Sequence, residues 1–188
     1  ALEQVIRDDA LVNAMEVSLD EECQHIIARR QPAASDLRMV MTVIKIITDL
    51  ERIGDEAQKV ARMGKLILTG DRIHAPRFRE IQKMADIAMA MVRRALDAFA
   101  RLDVAGALDV ARQDRTLDDE FDANFRQLVT FMMEDPRTIS MSIDTIFMCK
   151  AIERIGGHAK NISEYVVYMV KGKDIRHSTL EDMEGMSV

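Results

Sequence analysis

The chain has 188 residues and a formal net charge of −6, and 48% of its residues are hydrophobic, with 14 Met but only 3 Pro and 8 Gly. Long unbranched side chains with few helix breakers are typical of an all-helical protein, and the length allows one domain or two small ones with a buried core. The acidic charge, without a basic stripe, disfavours nucleic-acid binding, and no stretch reaches the roughly 20 apolar residues of a membrane span.

Five long helices are predicted. They cover about residues 1–29, 36–68, 77–102, 104–134 and 137–170. Ser35 is the expected N-cap of the second helix, Pro76 suits the first turn of the third, and Asp103 is placed to cap the fourth. Gly172 is a natural stop for the fifth, and residues 173–188 form a weakly helical tail. Helices of this length fit an elongated bundle with short connections.

The motif Glu-Arg-Ile-Gly occurs twice, first from Glu51 and again from Glu153, 102 residues later. The segment "VIRDDALVNAMEVSLDEEC" (5–23) aligns with "VARQDRTLDDEFDANFRQL" (110–128) at an offset of 105, which a loop three residues shorter explains. The first and second helices therefore match the fourth and fifth, whereas the third has no counterpart.

The duplication predicts an all-α fold of two tandem three-helix bundles. We expect the first bundle in residues 1–70, the second in residues 71–172 and a C-terminal tail in residues 173–188. The chain opens in a helical pattern without a signal peptide. The first helix of the first bundle is therefore expected to precede residue 1.

Acidic and amide side chains interrupt the inward stripe of the first helix at Asp9, Asn13 and Glu16. Ionised groups on such a stripe are costly unless they pair with opposite charge or bind a cation. Glu51 and Asp55 on the second helix have i, i+4 spacing, which places them about 40° apart on one face. Antiparallel packing would bring all five side chains into one patch, and oxygen-rich clusters suit hard divalent cations, iron or manganese.

The second repeat offers a poorer set of oxygen ligands. Asp114 and Asp118 remain, and both are expected on the inward stripe of the fourth helix, together with Glu153 on the fifth. Phe121 stands where Glu16 does, and Gly157 stands where Asp55 does. A weaker metal site is predicted there. His158, next to Gly157, is a candidate ligand that would favour zinc.

Two interpretations need no metal. The acids could form a solvated face, or Arg52 and Arg154 could form salt bridges to them. Gly54 and Gly156 each cost roughly 1 kcal/mol relative to alanine inside a helix, and each would let a neighbouring helix come close.

Cys23 and Cys149 lie in apolar helical stretches far apart in the sequence. They predict small buried thiols in a reduced, cytoplasmic protein. Neither has a CxxC partner or a nearby Cys–His arrangement, so nucleophilic catalysis has no support. The sequence also contains no P-loop or GxGxxG motif.

Several segments resemble the PhoU family of bacterial regulators of phosphate transport. They are "VNAMEVSLDEEC", "IIARRQPAASDLRMVMTVIKIITDLERIGDEAQKVAR", "ALDAFARLDVAGAL", "FMMEDPRTIS" and "AIERIGGHAKNISEYVVYMVKGKDIRH". The resemblance covers essentially the whole chain apart from the last residues. It implies two three-helix bundles, each with a multinuclear metal site on a Glu/Asp-x-x-x-Asp motif. That motif carries onto Glu51 and Asp55 in the first repeat, but only onto Glu153 in the second.

The resemblance also implies a non-enzymatic negative regulator of the phosphate-starvation response. The implied partners are the cytoplasmic ATPase subunit of the phosphate ABC transporter and a sensor histidine kinase. We further expect a homodimer, located in the cytoplasm and peripheral to the inner membrane through its partners. Oxygen ligands leave the metal open among Mg, Mn, Fe and Zn.

Two other classes of function compete. A carboxylate-bridged di-iron enzyme on a helical bundle would use Glu-x-x-His pairs, but Glu153 and His158 are five residues apart and face different ways. A metal-free helical scaffold with salt-bridged acids is the other alternative.

Overall fold

The computed structural model describes residues 2–69 and 78–172, which form five α-helices and one short 3₁₀ turn, with no strand in those two ranges. The helices are α1 (Leu2–Arg30), α2 (Ser35–Thr69), α3 (Phe78–Arg101), α4 (Val104–Glu134) and α5 (Ile139–Lys171). The all-α prediction is confirmed. Pro76 and the tail at residues 173–188 lie outside the described residues.

Local hydrogen bonds fix the helix ends that the sequence predicts at Asp103 and Gly172. The carboxylate of Asp103 accepts a hydrogen bond from the Gly106 backbone N–H at 3.1 Å and caps α4. Gly172 ends α5 with φ of 71°, a left-handed conformation that favours glycine, and its N–H donates to the Tyr168 carbonyl at 2.8 Å. Asp135 ends α4 and accepts from the Arg137 N–H at 3.0 Å, which starts the 3₁₀ turn Pro136–Thr138 before α5.

The expected N-cap at Ser35 is wrong, because Ser35 is already the first residue of α2. The chain turns through Gln31 and Ala34, whose φ angles are 45° and 48°. Backbone carbonyls of this turn serve the first N–H groups of the helix, since Asp36 N–H donates to the Ala33 carbonyl at 3.1 Å. A hydroxyl cap is therefore not needed at this end.

Helices α2 and α5 make the most extensive contact of the described elements. Helix α1 packs on α2 as α4 packs on α5, and α3 lies against α4 and α5. The core between α3, α4 and α5 contains the fully buried side chains Met84, Met91, Val110, Leu117 and Ile162. Within the described ranges, no helix is both long and apolar enough to cross a bilayer.

Both cysteines are free and buried, as their apolar surroundings predict. Burial raises the pKa of the Cys149 thiol to about 11. Burial, followed by the nearby Asp20 and Glu22 carboxylates, also raises the pKa of Cys23. Neither thiol is therefore activated as a nucleophile.

Candidate functional site

Helices α1 and α2 run antiparallel. Glu3 pairs with Lys65 at 3.0 Å near one end, and Asp9 contacts Gln58 further along. At the crossing, a Cβ on Gly54 would lie 3.4 Å from Val12 Cγ1. Gly54 therefore faces α1 directly, but the distance leaves room for an alanine, so this contact does not require glycine.

The predicted acids of the first repeat come together on these two helices, and we call Asp9, Asn13, Glu16, Glu51 and Asp55 the first cluster. All five side chains are half-buried. Burial is the main cause that raises the pKa of Glu51, whose side chain is only 15% exposed, and the Asp55 carboxylate adds to it. Glu16 and Asp9 raise that pKa further, so carboxylates from both helices act on one another.

Arg52 sits at the solvent edge of the first cluster. Its Nε lies 3.3 Å from Glu51 Oε2, and its Nη1 lies 3.5 Å from Asp55 Oδ2. The guanidinium opposes the rise in the Glu51 pKa. Because the Arg52 side chain is 55% exposed, these pairs are surface ion pairs, each contributing about 0–1 kcal/mol.

Two oxygens of the first cluster are buried without a hydrogen-bond donor, Asp9 Oδ1 and Asn13 Oδ1. The other carboxylate oxygen of Asp9 accepts from Gln58 Nε2 at 2.8 Å. An unsatisfied buried acceptor costs about 1–3 kcal/mol, and a hard cation would satisfy such oxygens. The donor chemistry therefore fits the metal that the resemblance implies.

The oxygens of the first cluster are suitable metal ligands, but they are not arranged as a complete metal site. Across the described part of the chain, no three His, Cys, Asp or Glu side chains stand in a ready arrangement for a metal ion. Carboxylates on α1 and α2 would have to rotate toward one another to share a cation.

Asp114, Asp118 and Glu153 form a second cluster, which lines an open cavity of about 450 Å³ between α4 and α5. Burial, then the Asp114 and Glu153 carboxylates, raise the pKa of Asp118. Asp118 is nevertheless exposed as a residue, and the neighbouring Leu117 is the one that points into the core, with no exposed surface. The predicted inward position of Asp118 is therefore wrong, although its contact with the other two acids is present.

Two ammonium groups face the second cluster. Lys160 Nζ lies 2.8 Å from Asp114 Oδ2, and Lys150 Nζ lies 2.8 Å from Glu153 Oε1. Burial lowers the pKa of Lys160, but its hydrogen bond with Asp114 and the attraction of that charge outweigh burial, so the pKa is raised. Both ammonium groups oppose the rise in the Asp118 pKa.

Arg154 does not pair with the acids of its own repeat. Its Nη1 lies 3.0 Å from Glu56 Oε1 on α2, so this ion pair joins α2 to α5. Glu56 is 2% exposed, and its carboxylate also accepts from Lys59 Nζ at 2.9 Å. The alternative in which Arg154 neutralises the second cluster is therefore wrong for this structure.

His158 lies at the edge of the second cavity, but its Nδ1 is 2.7 Å from Asp49 Oδ1 on α2. Asn161 Nδ2 donates to the same oxygen at 3.1 Å. This contact joins α2 to α5 and engages the Nδ1 of the imidazole with an acid of α2.

The two glycines after Glu153 differ in their surroundings. Gly156 is buried, and a Cβ there would overlap Leu117 Cδ2, so it serves the close approach of α4 that the sequence predicts. Gly157 has nothing within 4 Å of the place its Cβ would take. An aspartate would therefore fit at Gly157.

Gln58 and Lys160 contact these clusters and were not identified from the sequence pattern. They occupy the same position in the two repeats at the offset of 102. Their partners Asp9 and Asp114 are matched at the offset of 105. Extending the alignment four residues beyond the repeated Glu-Arg-Ile-Gly motif would have found this pair.

A family model described as "PhoU domain" matches residues 1–63 and 81–166 of the chain. The "Phosphate-specific transport system accessory protein PhoU homolog" of Pseudomonas putida is 50% identical over 182 residues, 96% of this chain and 70% of that protein. The "Phosphate-specific transport system accessory protein PhoU" of Escherichia coli K12 is 44% identical over 174 residues, 93% of this chain and 71% of that protein.

Two solved structures share the fold. The crystal structure of PhoU from Pseudomonas aeruginosa superposes with a TM-score of 0.88 at 48% identity, covering 92% of this chain and 82% of that chain. The phosphate transport system regulatory protein PhoU from Streptococcus pneumoniae gives a TM-score of 0.82 at 24% identity, covering 92% of this chain and 80% of that chain, and supports the fold alone.

Proposed function

Because this chain belongs to the PhoU family, we propose that it is an accessory protein of phosphate transport and a negative regulator of the phosphate-starvation response. The observation that carries the proposal is the match in both sequence and fold to a PhoU of solved structure, 48% identical with a TM-score of 0.88. The curated relatives named as accessory proteins of the phosphate-specific transport system support the same role.

In this proposal the chain is a non-enzymatic adaptor. It contacts the cytoplasmic ATPase subunit of the phosphate ABC transporter and a sensor histidine kinase, and it acts as a homodimer on the cytoplasmic side of the inner membrane. The adaptor role agrees with the chemistry of the described residues, because both thiols have raised pKa values and Glu153 and His158 turn to different partners.

We also propose that the first cluster binds a metal ion. Its donors would be the carboxylates of Asp9, Glu16, Glu51 and Asp55, with the amide oxygen of Asn13. The unpartnered oxygens of Asp9 and Asn13 support this assignment. A cation here would offset the repulsion between carboxylates of α1 and α2 and hold the two helices together.

A metal-free scaffold is the second candidate, and Arg52 favours it. The guanidinium bridges Glu51 and Asp55 and partly neutralises the cluster without any metal. Elemental analysis of protein purified without chelator separates the two candidates. Stoichiometric Mg, Mn, Fe or Zn that disappears in the double variant Glu51→Gln, Asp55→Asn supports the metal site. Metal-free wild-type protein supports the scaffold. Oxidation of a substrate by the iron-loaded protein and dioxygen would instead support a metalloenzyme.

The regulatory role is tested by a clean deletion of the gene. Transcripts of the phosphate-uptake genes should rise under phosphate-rich conditions and return to normal when the wild-type gene is restored. Unchanged transcript levels in the deletion strain would contradict the proposed role, whatever the metal content of the protein.

A further inference from the structure

We propose that Lys160 acts as a tethered cation in the second cluster and takes the place of the metal ion that the family resemblance implies there. The proposal concerns this cluster alone and does not depend on the regulatory role.

The two repeats place different groups at one position. In the first, the neutral amide of Gln58 donates to Asp9 at 2.8 Å and leaves the other oxygen of Asp9 buried without a partner. In the second, the ammonium of Lys160 lies 2.8 Å from Asp114. None of the described buried oxygens without a partner belongs to Asp114, Asp118 or Glu153. The ammonium of Lys160 therefore gives Asp114 the positive charge that the neutral amide of Gln58 does not give Asp9.

The charge balance of the two clusters differs accordingly. The first has four carboxylates against the guanidinium of Arg52, a formal charge of −3. The second has three carboxylates, and a fourth, Glu164, lines the same cavity. Against the ammonium groups of Lys150 and Lys160 they leave a formal charge of −2. A hard divalent cation is attracted mainly by anionic oxygens, so the second cluster attracts it less than the first.

Lys160 is better placed than Lys150 for this role. The side chain of Lys160 is 37% exposed and points to Asp114, which is itself only 10% exposed. Lys150 is 48% exposed and pairs with a residue three positions away on its own helix. Because charge attraction strengthens as solvent is excluded, Lys160 compensates the cluster more strongly. A metal ion at Asp114 Oδ2 would have to displace the ammonium, and one at the other carboxylate oxygen would lie close to its positive charge.

The test starts from a parent protein with Glu51→Gln and Asp55→Asn, which disables the first cluster. Lys160→Gln in this parent gives position 160 the same residue type as Gln58, its counterpart in the first repeat. Lys160→Arg keeps the positive charge, and Lys150→Gln removes the more exposed cation. Mn²⁺ affinity is measured by calorimetry and by the EPR signal of free Mn²⁺, and folding is checked by circular dichroism.

We expect Lys160→Gln to bind Mn²⁺ at least about tenfold more tightly than the parent, because one positive charge at contact distance is removed. Lys160→Arg should bind like the parent, and Lys150→Gln should gain less than Lys160→Gln. Equal affinities for the parent and Lys160→Gln, or a gain in Lys160→Arg equal to that in Lys160→Gln, would overturn the proposal.

A second measurement uses the parent protein itself, in case Lys160→Gln does not fold. The side-chain NMR signals of Lys160 and Asp114 should not move when Mg²⁺ is added. Shifts of both signals that saturate with Mg²⁺ would show that a metal displaces the ammonium, and would overturn the proposal.

Discussion

Gly156 is a position where a single added methyl group should destabilise the fold. A Cβ there would overlap Leu117 Cδ2, and both Leu117 and Met91 behind it are fully buried and cannot move aside freely. We expect Gly156→Ala to lower the free energy of unfolding by about 1–3 kcal/mol through overpacking, even though alanine favours helix by up to about 1 kcal/mol. Urea unfolding in the presence of chelator measures the change.

Gly54→Ala is the matched control in the other repeat. Its added Cβ would meet Val12 Cγ1 at 3.4 Å, an ordinary contact, so the helix preference of alanine should leave stability unchanged or slightly higher. Equal losses of unfolding free energy in the two variants would show that the contact with Leu117 is not the reason why position 156 requires glycine.

Glu51 gives a pH-dependent prediction for the metal-free protein. Burial, then Asp55, raise its pKa above the ordinary value of 4.5, so the folded chain holds this proton more tightly than the unfolded chain does. Its contribution to stability is full below pH 4.5 and is lost as the pH rises through the folded pKa.

Glu51→Gln removes the charge and keeps the shape. In chelator we expect a higher melting temperature than wild type at pH 7 and a smaller difference near pH 4. The measurement is thermal unfolding at both pH values, with Asp8→Asn, half-buried on α1 outside the cluster, as control. A lower melting temperature at pH 7 would contradict the assigned repulsion.

Spacing along one helix predicts which groups share a face, and this is why the five residues of the first cluster were found together. It does not predict a partner on another helix. His158 and Asp49 are 109 residues apart, and their contact depends on how α5 is rotated against α2. The same holds for Arg154 and Glu56. The sequence therefore grouped the acids of the first cluster but paired Arg154 with the wrong acids.

Among the elements, helix ends were predictable where one side chain or one glycine determines them. Asp103 and Gly172 act locally, and both were placed correctly. The start of α2 depends on a turn through Gln31 and Ala34, two non-glycine residues with positive φ, and no composition rule marks such a turn. The helix lengths were predictable from apolar periodicity, because a long apolar stripe at helical spacing is compatible with few structures other than an α-helix.

We expect the contact between α2 and α5 to require that the buried carboxylate of Glu56 stays paired with at least one of its two cationic side-chain partners. Arg154 on α5 and Lys59 on α2 both reach its buried carboxylate, and each side chain is 51% exposed. We expect Arg154→Ala and Lys59→Ala each to cost about 1 kcal/mol, because a half-exposed partner is partly replaced by water. The double variant should cost more than the two losses together, since it leaves a buried charge unpaired.

A double-mutant cycle by urea unfolding measures this coupling, and the same cycle with Glu56→Gln is the control. With the charge removed, the two cations should no longer be coupled through Glu56. Additive losses in the Glu56 background would mean that the carboxylate is solvated without either partner.

At the scale of the whole molecule, one unit is used twice with different chemistry. The pair α1 and α2 corresponds to the pair α4 and α5 in length, order and contact. Each pair has a glycine facing the other helix and an acid contacting an amide or ammonium at the same position. The division into bundles at residues 1–70 and 71–172 stays a prediction, which superposition of the two halves would test.

The two halves should therefore bind metal unequally, and two reciprocal substitutions should reduce the difference. Asp55→Gly takes a carboxylate from the first cluster, and Gly157→Asp adds one to the second, where the space around Gly157 is open. Each change shifts the formal charge of its cluster by one unit. We expect Mn²⁺ affinity to fall in the first cluster and to rise in the second, by about tenfold or more in each case.

Isosteric controls separate charge from helix propensity in this experiment. Asp55→Asn and Gly157→Asn change the same positions without a carboxylate, so Asp55→Asn should weaken binding like Asp55→Gly, and Gly157→Asn should leave the second cluster weak. Calorimetric titration with Mn²⁺ gives the number of sites and their affinities. Equal occupancy of both halves in the wild-type protein, unaffected by either substitution, would mean that the ligands lie elsewhere. The expected result, weaker binding through position 55 and stronger binding through position 157, would show that a carboxylate at this repeated position adds to metal affinity in each half, whereas the ammonium of Lys160 still opposes it in the second.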